Sequence, residues 1–173
     1  AISRITDKMR IVTPSGRALE YQFGGIVLDR VAHDEALVEL ASSAGVEYLL
    51  DTWVEDVVDN TVILRGGERL EGRVIVGAGG HNDPIRKNHW KEESLNIPVK
   101  FVLKESSPTD SVELHFGSVA PGGYAWVFPK QGHSNIGLGI QRRIAGGRSL
   151  HQDAEDFISK DEGDVTLRGA GSL

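Results

Sequence analysis

The chain has 173 residues, a formal net charge of -6 and no cysteine. The missing thiols exclude disulfides, thiolate metal sites and a cysteine nucleophile, and the acidic balance excludes general nucleic-acid binding, which needs a clustered basic face. Apolar and charged fractions of 39% and 25% are those of an ordinary globular chain, long enough to bury a core.

Residues 2–12 and 17–23 read as two strands joined by the turn Thr13-Pro14-Ser15-Gly16. Gly24-Gly25 breaks the pattern, and Ile26-Val27-Leu28 is a short apolar run before Asp29-Arg30. From Val31 to Ala44 the period becomes helical, with Leu37, Leu40, Ala41 and Ala44 at i, i+3, i+4 and i+7. Asp34 and Glu35 are expected in the first turn, where the helix dipole favours negative charge, and Gly45 suits a C-cap. Val46–Leu50 reads as a buried strand, so helix, glycine and strand together look like the back half of a βαβ unit. Residues 53–58, 61–65 and 68–71 read as a meander with turns at Asp59-Asn60 and Gly66-Gly67. Arg73–Val76 reads as a short strand ending in Gly77-Ala78-Gly79-Gly80. Residues 81–96 are polar and contain Pro84, which predicts a loop with at most one helical turn and a lobe boundary.

Two more strands, Ile97–Lys104 and Ser111–Phe116, flank the turn at 106–110. The stretch 119–141 then carries the densest signal. After Pro121-Gly122-Gly123 comes the alternating run Tyr124-Ala125-Trp126-Val127-Phe128, which stops at Pro129. Successive strand side chains point to opposite faces, so Tyr124, Trp126 and Phe128 share one face and Ala125 and Val127 the other. Ser134–Ile140 reads as the returning strand, with Gly137 and Gly139 permitting close approach of backbone or ligand. Such an aromatic face either packs on a core or walls a mostly apolar ligand pocket. Arg142–Arg148 is a basic loop, Leu150–Lys160 a helix with Ser149 as N-cap, and 161–173 give no signal for a further element.

These elements predict an α+β / α/β architecture. Residues 24–96 form an α/β lobe, and residues 1–23 and 97–173 form a second lobe with a mixed, mostly antiparallel sheet, split in sequence around the first.

The runs P-G-G-Y-A-W-V-F-P-K at 121–130 and N-I-G-L-G-I at 135–140 resemble the signature of the geranylgeranyl reductase family, flavin-dependent enzymes of the p-hydroxybenzoate hydroxylase fold group. L-D-R at 28–30 with D-x-x-L at 34–37, and V-G-A-G-G-H-N-D-P-I-R at 76–86, resemble two further landmarks of that family. The resemblance implies reduction of isoprenoid double bonds, with FADH2 delivering the hydride. It implies that Tyr124, Trp126 and Phe128 line a lipid tunnel near the flavin, with Tyr124 and Trp126 as catalytic candidates and Tyr124 as a possible proton donor. It also implies cofactor contacts from Arg30, Gly77, Gly79, Gly80 and Arg86. Lys130, and the loop arginines Arg142, Arg143 and Arg148, are candidates for a substrate phosphate, which arginine suits well. The implied partners are an isoprenoid or prenyl-lipid substrate and an electron donor, NADPH or ferredoxin.

The chain departs from the family pattern at Gly79, where the family has Asp, at Asp83, where it has Ser, and at Gln131, where it has Gly. It also carries no strand–G-x-G-x-x-G–helix unit for a dinucleotide pyrophosphate. A middle segment of a longer flavoprotein is therefore expected, with an incomplete FAD site and an inactive isolated chain. The alternatives are a related flavin monooxygenase and a flavin-free prenyl-lipid-binding module. The six histidines show no H-x-x-x-H spacing, so no metal site is expected. No apolar run approaches the ~20 residues that span a bilayer, and the first ten residues lack a signal-peptide apolar core. A cytoplasmic setting, with peripheral membrane contact at most, is the corresponding expectation.

Overall fold

The computed structural model describes residues 1–89, 97–106 and 109–172. In chain order the strands are β1 (Ile2–Val12), β2 (Ala18–Leu28), β3 (Val54–Val58), β4 (Thr61–Leu64) and β5 (Arg69–Glu71), followed by β6 (Pro98–Lys104), β7 (Val112–His115), β8 (Tyr124–Pro129), β9 (Ser134–Gly139) and β10 (Val165–Ser172). The α-helices are α1 (Arg30–Ser43), α2 (Pro84–His89) and α3 (Leu150–Ile158), with a 3-10 turn at Gly80–Asn82. The chain divides into two compact units, residues 1–38 with 96–173, and residues 39–95.

The first unit is built on a seven-stranded sheet of order β10-β6-β9-β8-β7-β1-β2. Every neighbouring pair is antiparallel except β1 and β7, which run parallel with Met9 opposite Val112 and Val12 opposite His115. One face of the sheet packs under α3. Val102, Ala125, Val127, Ile136 and Leu138 from the sheet form a continuous core with Ala154, Phe157 and Ile158 from the helix. Ser149 caps α3 as expected, its Oγ accepting from Gln152 N at 3.3 Å. At the other end, buried Lys104 donates to the carbonyls of Ile158 and Asp161, satisfying groups that a helix C-terminus leaves open.

Three elements of this unit differ from the sequence reading. Strand β2 does not stop at Gly24 but runs on to Leu28, through a register shift between Thr6–Gly25 and Lys8–Gln22 that leaves one extra residue on β2. The glycines mark a bulge rather than an end. Residues 165–172 form a full edge strand, β10, paired with β6. Helix α1 begins one residue earlier than its period suggested, because the Asp29 carboxylate accepts from the N–H groups of Val31 and Ala32 at 3.1 and 3.3 Å. Asp34 therefore lies beyond the first turn.

In the second unit, β3, β4 and β5 form the expected meander. Asp59 (φ 51°) and Gly66-Gly67 (φ 107° and 91°) occupy the left-handed turn positions. Gly45 ends α1 with φ 89°, its N–H and that of Val46 bonding back to Ser42 and Ala41. The predicted βαβ half is not present among the described residues. Neither 46–50 nor 73–76 is a strand; Leu50, Val74 and Val76 are about 80% exposed, and α1 buries none of its side chains. An apolar run becomes a strand only when a ladder partner takes its backbone groups, and neither run has one among the described residues of this unit.

Candidate functional site: an apolar slot on one sheet face

The alternation along β8 holds. Ala125 and Val127 are buried under α3, while Tyr124, Trp126 and Phe128 project from the opposite face. Their ring centroids follow one another at 5.8 and 6.1 Å, and Phe116 extends the row 6.1 Å beyond Tyr124. The row forms one wall of a slot of about 910 Å³, a size suited to a small molecule. Val99 and Phe101 from β6, Val112 and Leu114 from β7, Met9 from β1, and Phe23, Ile26, Val27 and Leu28 from β2 complete the lining. The bulge in β2 lies next to Phe23, and the stretch of strand beyond it supplies the last three of these residues.

Two of the lining rings sit low on the sheet because the residues beneath them lack side chains. A Cβ on Gly137 would stand 2.6 Å from Trp126 Cζ2 and 2.7 Å from Phe101 Cβ. A Cβ on Gly169 of β10 would stand 2.2 Å from Phe101 Cζ. The rings lie directly on glycine backbone, which any larger residue would displace. Polar groups are few. Asn135 on β9 accepts a hydrogen bond from Trp126 Nε1 at 2.6 Å, and Lys130 and Arg30 lie at the lining. Met9 to Val12 run alongside Val112 to His115, and β7 runs antiparallel to β8. This places Leu28, opposite Ile2, with Lys130 towards one end of the slot, and Tyr124 with Phe116 towards the other.

Residues 95–169 match the family model for the geranylgeranyl reductase catalytic domain. Geranylgeranyl diphosphate reductase of Rhodobacter capsulatus is 32% identical over 162 residues, covering 81% of this chain and 40% of that protein. Residues 95–169 thus carry the catalytic-domain pattern of the geranylgeranyl reductase family. Like this relative, others that the chain matches are more than twice its span, so it corresponds to less than half of their length. Among solved structures, a geranylgeranyl bacteriochlorophyll reductase-like protein from Thermoplasma acidophilum superposes with a TM-score of 0.70 at 22% identity, covering 99% of this chain and 50% of that one. The flavin-dependent brominase Bmp2 gives 0.68 at 12% identity, covering 99% and 51%. At these identities the two likenesses concern the fold.

Outside the slot, the remaining candidate residues fall into separate places. Arg30, in the first turn of α1, makes a two-pronged pair with Asp34, Nη2–Oδ2 3.0 Å and Nε–Oδ1 3.3 Å. The hydrogen bonds from Arg30 and then from His33 hold the Asp34 carboxyl below the usual carboxylate range. The same bond raises the Arg30 guanidinium further above neutrality. Arg148 donates to Asp153 Oδ1 at 2.7 Å and to the Ser118 carbonyl, and with Arg142 it borders a second cavity of about 240 Å³ next to Leu150.

The glycine loop lies in the second unit. There the buried Asp83 carboxylate accepts from Gly79 N at 2.7 Å, Ile85 N at 2.8 Å and Arg86 N at 3.3 Å. It caps α2 and ties the loop back onto it. The Gly79 bond is the first cause holding Asp83 below the usual carboxylate range. A Cβ on Gly77 or Gly79 would come within 2.8 or 2.9 Å of that carboxylate, so these two glycines make room for Asp83. This arrangement does not fit the pyrophosphate of a flavin dinucleotide. The Gly79 donor is already used, and a fixed negative charge faces the loop. Gly80, with φ 67° and open space around its Cβ position, is the loop residue that leaves room for close approach. Among the described residues no group of three or more histidine or carboxylate side chains is placed to hold a metal. No helix among them is long and apolar enough to cross a membrane.

The sequence alone pointed to Tyr124, Trp126, Phe128 and Lys130 but not to Asn135, Phe101 or Phe116. Asn135 had a usable signal. In a hairpin turning at 130–133 it falls opposite Phe128, on the ring face. Phe101 had none, since its place beside Gly137 depends on pairing between β6 and β9.

Proposed function

We propose that this chain forms the substrate wall of a flavin-dependent reductase of isoprenoid double bonds. The observation that carries the reading is the row Tyr124, Trp126 and Phe128 along an apolar slot on a glycine floor. The name of the Rhodobacter relative and the flavin dependence of the brominase support the substrate class and the cofactor. The rings orient a prenyl chain by contact alone, because its hydrocarbon part offers no hydrogen-bonding groups. The apolar lining keeps water from the alkene. Tyr124 and Trp126 are the residues assigned to the reacting region, with the Tyr124 phenol as the proposed proton donor. Lys130 is assigned to the substrate's phosphate end, as a point charge at the slot lining.

FAD is proposed as the cofactor of the longer protein, with NADPH or ferredoxin as electron donor. In the first unit Arg30 is the proposed cofactor contact; in the second, Gly80 and Arg86, with Gly77 and Gly79 shaping the loop around Asp83. We assign the unit of residues 39–95 to the flavin lobe and the unit of residues 1–38 with 96–173, which carries the slot, to the substrate lobe.

The test is Trp126→Ala in the full-length protein, assayed for reduction of geranylgeranyl diphosphate and for bound flavin by absorbance. Turnover is expected to fall at least about tenfold, the equivalent of about 1.4 kcal/mol, with flavin content retained. Unchanged turnover removes the aromatic wall from the reaction. Oxygen uptake coupled to NADPH consumption would instead identify a monooxygenase. The 173-residue chain alone is expected to purify without flavin; a yellow preparation contradicts this.

A further inference from the structure

A flat ring on a strand has a two-fold choice. The torsion that turns an indole about its Cβ–Cγ bond is broad and roughly two-fold, and a flip carries the six-membered ring and the N–H to opposite sides of that bond. Packing holds Trp126 between Tyr124 and Phe128 with its Cζ2 edge over Gly137, but contacts of this kind do not give the indole N–H a partner. The bond from Trp126 Nε1 to Asn135 Oδ1, at 2.6 Å, does. An indole N–H only donates, so the partner atom must be the amide oxygen, and the bond fixes the Asn135 flip as well. Turning the indole over would leave its N–H without an acceptor in an apolar wall, at the cost of an unsatisfied buried donor. Asn135 itself sits on β9 opposite Phe128, within the rigid β8–β9 ladder, and its side chain reaches the slot.

We propose that Asn135 is a positioning residue: it selects one orientation of the Trp126 indole and so sets the cross-section of the slot at its middle ring. The inference deepens the proposed function, since the consequence for turnover rests on the slot holding a prenyl chain. The orientation of the ring is testable without turnover.

The experiment uses the full-length protein labelled with 15N-indole tryptophan. Trp126→Phe identifies the Trp126 Nε1–H resonance by its disappearance from the spectrum. Asn135→Leu removes the acceptor while keeping the branched shape and the same number of side-chain heavy atoms, and Asn135→Asp keeps an acceptor in place. In Asn135→Leu, solvent exchange of the Trp126 indole N–H is expected to quicken about tenfold, the scale of one lost hydrogen bond. The kcat for geranylgeranyl diphosphate should fall by a similar factor, with KM moving less. Asn135→Asp should return the exchange rate to within about threefold of the parent, as expected if a charge-assisted bond takes over. In the Trp126→Phe background, Asn135→Leu should have no further effect on kcat, because the two residues act as one unit. Exchange at the parent rate in Asn135→Leu overturns the proposal, as does an undiminished effect of Asn135→Leu on kcat in the Trp126→Phe background. If Asn135→Leu does not fold, Asn135→Ala carries the same comparison. If the parent protein does not reduce geranylgeranyl diphosphate, the functional reading fails while the exchange measurement still decides the role of Asn135.

Discussion

The two faces of the seven-stranded sheet are made by alternate residues of the same strands, yet they are built on opposite rules. The α3 face is aliphatic and closed: Val102, Ala125, Val127, Ile136 and Leu138 interlock with Ala154, Phe157 and Ile158. The slot face pairs bulky rings with missing side chains, Trp126 and Phe101 against Gly137 and Phe101 against Gly169. Close packing on one side holds the backbone still, and the glycine floor on the other leaves a cavity where a core would otherwise form. A binding slot in a small sheet thus depends on stiffness behind it as much as on chemistry within it.

Substitutions on either side test that division. The largest expected effect is Ile136→Ala on the closed face, which should cost about 2–5 kcal/mol in denaturant unfolding. A loss well under 1 kcal/mol would mean that this face is not the rigid half. Gly137→Ala, on the floor, adds a carbon where Trp126 and Phe101 already meet. It should cost about 1–3 kcal/mol and, in a fluorescence titration with geranylgeranyl diphosphate, weaken binding more than Ile136→Ala does. Equal losses of affinity would erase the distinction between the faces.

Glu113 sharpens the comparison from the charged edge of the α3 face. It accepts from His115 Nε2 at 3.2 Å and from Arg10 Nη1 at 3.1 Å, and these bonds, His115 first, hold its carboxyl below the usual range although burial opposes them. A depressed folded pKa means stability that is present above the unfolded value of about 4.3 and is lost as pH falls through the folded value. Asp161, raised chiefly by burial, has the opposite sign: it favours the folded state below its unfolded value of about 3.9, and that advantage is lost as pH rises through the folded value. Glu113→Gln should therefore lower stability at neutral pH by about 1–2 kcal/mol and flatten the acid limb of a stability–pH curve. An unchanged acid limb would show that the pair is not coupled to folding. The smallest stability effect is expected from Phe128→Ala, whose ring is only half buried on the slot face. It should cost about 1 kcal/mol, well short of a fully buried aromatic, while prenyl diphosphate affinity falls several-fold.

Local signals carried the hairpin, the meander and the α3 cap, because each is decided within a few residues: alternation at 124–128, left-handed turns at Asp59 and Gly66-Gly67, and the Ser149 hydroxyl three residues before its donor. Strand β10 was not legible. Gly169, Ala170 and Gly171 have weak strand preference, and only the ladder with β6 and the Phe101 ring above Gly169 explain them. Val46–Leu50 and Arg73–Val76 erred in the other direction, since apolar content predicts burial only where a partner surface exists. In the site, the row of rings was legible from β8 alone. The opposite wall, from Met9 to Leu28, was not, because a parallel pairing between distant segments leaves no mark in either one.

That parallel pairing has a consequence for how the molecule is made. Arg10 and Glu113 lie 103 positions apart, so during synthesis the hairpin of β1 and β2 leaves the ribosome well before the strand that it must join, on the order of 5–20 s at ordinary elongation rates. Until then β1 offers an unclaimed edge to any other nascent chain. The two register shifts in the hairpin, which bend it away from flatness, are suited to guarding that edge during the wait.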